Sequence, residues 1–127
     1  MTVADELMHH VRVAAAAADD KKATGTLIID VGDVFSVSDF FVITSGSNPR
    51  QVAAIVDAIE EDIKDAGGPG PVRVEGVEER EWVLMDYGAF VVHVFNQEQR
   101  DFYQLERLWS DRPRVAWEPL APRPESA

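Results

Sequence analysis

The chain has 127 residues, 46% hydrophobic and 28% charged, the proportions of one globular domain able to bury its own core. It contains no cysteine, which excludes disulfides and thiolate metal sites. Acidic residues outnumber basic ones 23 to 12, for a formal charge of −11, and the longest basic run is Lys21-Lys22, so phosphate-driven nucleic-acid binding lacks its cations.

Thr2 with Asp5 three residues on marks a helix start, and Leu7, Met8, Val11, Ala14, Ala15 and Ala18 recur at helical spacing to about Lys22. Thr24-Gly25 ends that helix. Thr26 to Val31 reads as a strand closed by Gly32-Asp33, and Phe40 to Thr44 as an inner strand, apolar on both faces. A second helix opens at Ser47 or Asn48 with Pro49 in its first turn, buries Val52, Ile55, Val56, Ile59 and Ile63, and stops at the loop Gly67-Gly68-Pro69-Gly70-Pro71. Three strand-like runs follow, Val72 to Glu75, Glu81 to Asp86 and Ala89 to Phe95, the last two joined by a turn at Tyr87-Gly88. Asn96 with Gln99 starts a final helix, expected to set Phe102, Leu105, Leu108 and Trp109 inward. Pro113, Pro119, Pro122 and Pro124 forbid a long helix beyond Ser110 and suggest a loose tail. The order α-β-β-α-β-β-β-α predicts an α/β domain with a mixed five-stranded sheet and flanking helices.

No apolar run reaches the roughly 20 residues that span a bilayer, and Asp5, Glu6, two histidines and Arg12 interrupt what a signal peptide would need. A cytoplasmic protein with no membrane partner is the expectation.

Ser45-Gly46-Ser47 ahead of a helix, with Arg50 in its first turn, is a candidate anion-binding site, because helix N-termini present unpaired N–H groups. A nucleotidyltransferase using it on a nucleoside triphosphate would also need paired carboxylates to hold divalent metals. The strand that should carry them, Val72-Arg73-Val74-Glu75, has one acid and an arginine, and Asp30, Asp33 and Asp39 suit turn and cap duties. A sharp turn that needs small residues explains the loop better. His93, on one strand face with Val91 and Phe95, reads as a half-buried histidine bonded to a neighbour. His9 and His10 point about 100° apart on their helix and cannot chelate locally. In the hairpin, Trp82, Leu84 and Asp86 share one face, Val83 and Met85 the other. That strand either lies buried within the sheet or docks a partner through its exposed face or turn end.

Taken in order from about Leu7 to Asp111, these motifs resemble the ribosomal silencing factor family, also called Iojap-like: Ser38-Asp39-Phe40, Thr44-Ser45-Gly46-Ser47, Arg50-Gln51, Glu75-Gly76, Trp82, Asp86-Tyr87-Gly88, Val91-Val92-His93-Val94-Phe95 and Tyr103-Gln104-Leu105-Glu106-Arg107-Leu108-Trp109. The resemblance divides the chain into a silencing-factor domain over 1–111 and a Pro-rich, flexible C-terminal tail over 112–127. It implies a nucleotidyltransferase-like fold without catalysis, with no cofactor and no metal. It also implies a translation repressor that binds the large ribosomal subunit through that subunit's protein number fourteen. Docking there would block joining of the small subunit when nutrients are scarce. The partner-binding residues it points to are Trp82, Leu84, Met85, Asp86 and Tyr87, with Glu75 beside them, and a homodimer is implied as well. Asn48-Pro49 departs from the small residues many relatives carry between Ser47 and Arg50.

Overall fold

The structure, a computed structural model, describes residues 2–32 and 38–119. Its elements are α1 (Val3–Asp20), β1 (Thr24–Asp30), β2 (Phe40–Gly46), α2 (Pro49–Asp65), β3 (Arg73–Glu75), β4 (Trp82–Asp86), β5 (Phe90–Asn96), α3 (Gln97–Tyr103) and α4 (Leu105–Leu108). The strands form one sheet in the order β1-β2-β5-β4-β3. Only β2 and β5 run parallel; the other neighbours are antiparallel. This is the mixed five-stranded sheet with flanking helices expected from the sequence.

Helix α1 begins at a capping box: Thr2 Oγ1 accepts the Asp5 N–H at 3.1 Å and the Asp5 carboxylate accepts the Thr2 N–H at 3.3 Å, which satisfies two donors that the first turn leaves over. Helix α2 is capped by Asn48 Oδ1, which accepts the Gln51 N–H at 2.8 Å. Both helices pack on one face of the sheet. There Val11, Ala14, Ala15, Ala17 and Ala18 meet Val52, Ile55, Ile59 and Ile63 of α2 and Ile28, Val42, Val83, Met85, Phe90, Val92 and Val94 from the strands. Small alanines let α1 lie close, and each large aliphatic side chain fully buried there contributes roughly 1.5–3 kcal/mol. Among the described residues, no helix is long and apolar enough to cross a membrane.

The opposite face is smaller and richer in rings. Ile29, Val31, Phe41, Ile43, Val91 and Phe95 form it, with Trp82, Leu84, Leu105 and Trp109 packed partly buried against them. The final helix differs from its sequence expectation. Gln104 sits in the left-handed region (φ 49°, ψ 49°) and splits the segment into α3 and α4. The break changes the phase, so Leu105 and Trp109 turn inward while Phe102 is 76% and Leu108 75% exposed. Phe102 and Leu108 are therefore surface residues, not core.

The C-terminal segment is also not loose over its described part. Residues 112–117 run along β1: the Asp30 N–H donates to Pro113 O at 3.0 Å, and the Val115 N–H to Ile28 O at 2.9 Å. Trp117 folds back and donates its Nε1–H to Thr26 O at 3.2 Å, while Arg12 Nε donates to Ala116 O at 3.0 Å. Proline forbids a helix here but still offers a carbonyl to an edge strand. Asp33, Pro122 and Pro124 lie outside the described residues.

Candidate functional site

Strand β4 alternates half-buried and buried residues along Trp82–Asp86, as a strand facing the main core on one side must. Trp82, Leu84 and Asp86 face the ring-rich side, opposite Phe95, His93 and Val91 of β5. The Trp82 indole stacks on Phe95 with centroids 4.7 Å apart and lies 5.1 Å from the Tyr103 ring. Its Nε1–H donates to His93 Nδ1 at 3.1 Å. A nitrogen that accepts from an indole carries no proton, so the neutral imidazole holds its hydrogen on Nε2. His93 is buried, more deeply than the sequence suggested, beneath Phe41 at 4.9 Å and Trp82. Burial pushes its pKa down to about 4, and at neutral pH it is an uncharged acceptor.

Two of the expected contact residues are out of reach. Met85 is fully buried in the main core and Tyr87 nearly so, stacked on Phe90 at 4.8 Å. Positions 83, 85 and 87 share a parity, and that parity faces α1 and α2. Burial, with Glu60 adding a smaller effect, pushes the Tyr87 phenol up to about 12. Trp82, Leu84, Asp86 and Glu75 remain reachable. Asp86 and Glu75 already share a cation: Arg73 lies 3.5 Å from Asp86 and 3.8 Å from Glu75. The Asp86 carboxylate also accepts the Gly88 N–H at 2.8 Å, which fixes the turn into β5.

The loop Ser45-Gly46-Ser47 is the sharp strand-to-helix turn, and its donors are already used. The Gln51 amide oxygen accepts both the Ser47 N–H, at 2.6 Å, and the Ser47 hydroxyl, at 2.9 Å. Gln51 Nε2 in turn donates to Lys21 O and Lys22 O, each at 3.0 Å. A Cβ on Gly46 would press on Val52 N at 3.2 Å, so the turn is tight against a side chain there. Ser45 is buried, its hydroxyl donating to Thr24 O at 3.0 Å, whereas Arg50 is exposed on the first turn of α2. The four candidate anion-binding residues thus do not converge on one opening.

A cation does reach this end of the sheet, and sequence reasoning missed it. Arg100 of α3 is buried; its Nη1 donates to Thr24 O and Ser45 Oγ, each at 3.1 Å, and its Nε pairs with Glu106 at 3.2 Å. Gly25 makes room, since a Cβ there would lie 2.7 Å from Nη1. Asp30 does serve a turn, accepting the Gly32 N–H at 3.0 Å. Among the described residues no group of three or more His, Asp or Glu side chains is placed to hold a metal.

One more feature borders Trp82. Gly76, Glu79, Glu81, Trp82, Gln99 and Tyr103 line a cleft of about 210 Å³ between the β3–β4 turn and α3. Phe102-Tyr103 was its available signal: adjacent residues on a helix diverge by about 100°, so both rings cannot face inward.

The family model described as "Ribosomal silencing factor during starvation" matches residues 4–127, so the likeness extends through the C-terminal segment. The chain is 43% identical over 103 residues to ribosomal silencing factor RsfS of Bacillus subtilis, covering 81% of this chain and 86% of that one. It is 32% identical over 95 residues to the mouse protein named mitochondrial assembly of ribosomal large subunit protein 1, covering 72% of this chain and 41% of that protein. A crystal structure of a Chromobacterium violaceum protein superposes with a TM-score of 0.76 at 30% identity, covering 99% of this chain and 100% of that one.

Proposed function

The chain belongs to the ribosomal silencing factor family, and from that premise we propose that it is a translation repressor acting by occupancy. It binds the large ribosomal subunit through that subunit's protein number fourteen and so blocks joining of the small subunit, above all under nutrient limitation. The observation that carries the reading is the outer face of β4. Trp82 stands half-buried there, fixed by Phe95 beneath it and by His93 at its edge, with Leu84 alongside and Asp86 and Glu75 at the rim. A rigid aromatic anchor inside a charged rim is the usual composition of a docking hot spot. The net charge of −11 steers encounter toward basic protein surface. The name of the mouse relative, which concerns the large subunit, points the same way.

No bond is made or broken in this mechanism, so the protein is not an enzyme. Repression requires only that two bodies cannot fill one volume. The nucleotidyltransferase alternative fares worse, because the Gln51 amide already occupies the Ser47 donors that a triphosphate would need. The protein works in the cytoplasm as a homodimer, for which exposed Phe102 and Leu108 supply apolar surface.

Sedimentation with purified subunits tests this. The protein should travel with the large subunit and prevent its pairing with the small one. Trp82→Ala should cost about 2 kcal/mol or more of that affinity, with circular dichroism confirming the fold. Full joining of subunits in the presence of saturating protein would sink the reading.

A further inference from the structure

The cleft beside Trp82 is built, not incidental. Gly76 has φ +82°, and a Cβ there would collide with the Trp82 carbonyl oxygen, so the β3–β4 turn crosses β4 at a point only glycine allows. The Arg80 N–H donates to Gly76 O at 3.0 Å, and the Asn96 N–H to Glu81 O at 2.8 Å. The turn is thereby pinned at both ends, with Glu79 and Glu81 lining the same cleft as the rings of Trp82 and Tyr103.

The walls offer two kinds of chemistry. The aromatic rings attract the flat face of a cation, and the carboxylates accept its N–H donors. Neither Glu79 nor Glu81 pairs with a cation among the described residues, whereas Glu75 and Asp86 already share Arg73. Arg80 lies between the two glutamates in sequence but does not line the cleft.

We infer that the cleft receives one arginine side chain of a basic protein partner, its guanidinium against Trp82 and Tyr103 and its N–H groups on Glu79 and Glu81. This rests on the docking face proposed above and adds which component of a ribosomal surface meets it. Two unpaired carboxylates repel phosphate, so the occupant is protein rather than RNA. An arginine suits the site better than a lysine because only a planar group stacks and donates sideways at once.

The test uses the full-length protein and large ribosomal subunits, with affinity measured by co-sedimentation at low and high salt. Glu79→Gln with Glu81→Gln changes only exposed side chains and should leave the fold intact. It should weaken binding about tenfold or more at low salt, in the range of a desolvated cation–carboxylate contact, and flatten the salt dependence. Tyr103→Leu should weaken binding with the salt dependence kept. Unchanged affinity in both variants overturns the inference. Tighter binding by the Gln pair also overturns it and places RNA phosphate at the cleft. If Trp82→Ala loses binding while the cleft variants keep it, the docking face stands and the arginine site falls. If Trp82→Ala binds normally, the docking face itself is wrong.

Discussion

The Trp82 indole and the His93 imidazole form a one-way latch: Nε1–H of the first donates to Nδ1 of the second at 3.1 Å, between neighbouring strands. Protonation of His93 would set two donors face to face and break the latch. The fold prevents this by burying the ring, which pushes its pKa down from 6.5 to about 4.

That burial makes stability depend on pH. The unfolded chain protonates this imidazole near its ordinary value and the folded chain only near 4, so between those values unfolding takes up a proton and acid favours it. The contribution is complete above about pH 6.5 and declines as pH falls. Urea unfolding should show about 2 kcal/mol less stability from His93 at about pH 5 than at about pH 7.5. His93→Phe should remove that slope. His93→Gln, which keeps an acceptor, should restore a wild-type indole N–H resonance that His93→Phe shifts.

Arg100→Met should destabilise the protein by about 3 kcal/mol, because Glu106 and the Thr24 carbonyl lose a buried partner. Chemical denaturation measures this. Adding Glu106→Met should recover part of the loss, since replacing both members removes the stranded charge.

Trp117→Ala should cost about 2 kcal/mol, from lost apolar packing on the main core together with the hydrogen bond to Thr26. Thermal unfolding reads the change. Hydrogen exchange should rise first at Asp30, whose N–H the strap covers. A free tail would show neither effect.

Gly76→Ala introduces a side chain at φ +82° against the Trp82 carbonyl. The β3–β4 turn must shift, so stability should fall by at least about 1 kcal/mol and the Trp82 fluorescence should change. Gly88→Ala, also at positive φ but with nothing near its Cβ, should leave that fluorescence unchanged and serves as the control.

Much of this architecture was legible in the chain. Alternation in Trp82–Asp86 assigned its faces correctly, the Asn48-Pro49 start of α2 was readable, and the small residues at 45–47 marked the sharp turn. Carrying the alternation one step further would have placed Tyr87 with Met85 in the core. Three features resisted for physical reasons. Gln104 adopts positive φ with no glycine to announce it, so the change of helix phase that exposes Phe102 and Leu108 left no local mark. Arg100 is buried by groups 55 and 76 residues away in sequence, a convergence that no window captures. The prolines after Ser110 ruled out helix but said nothing about an extended strap.

That strap takes the place along β1 that an added strand would need. Along β1 the outward groups of Thr26, Ile28 and Asp30 are already bonded to residues 112–117, so this margin of the sheet is hemmed from within. Endless strand-by-strand stacking needs two bare borders, and here one of them is already filled.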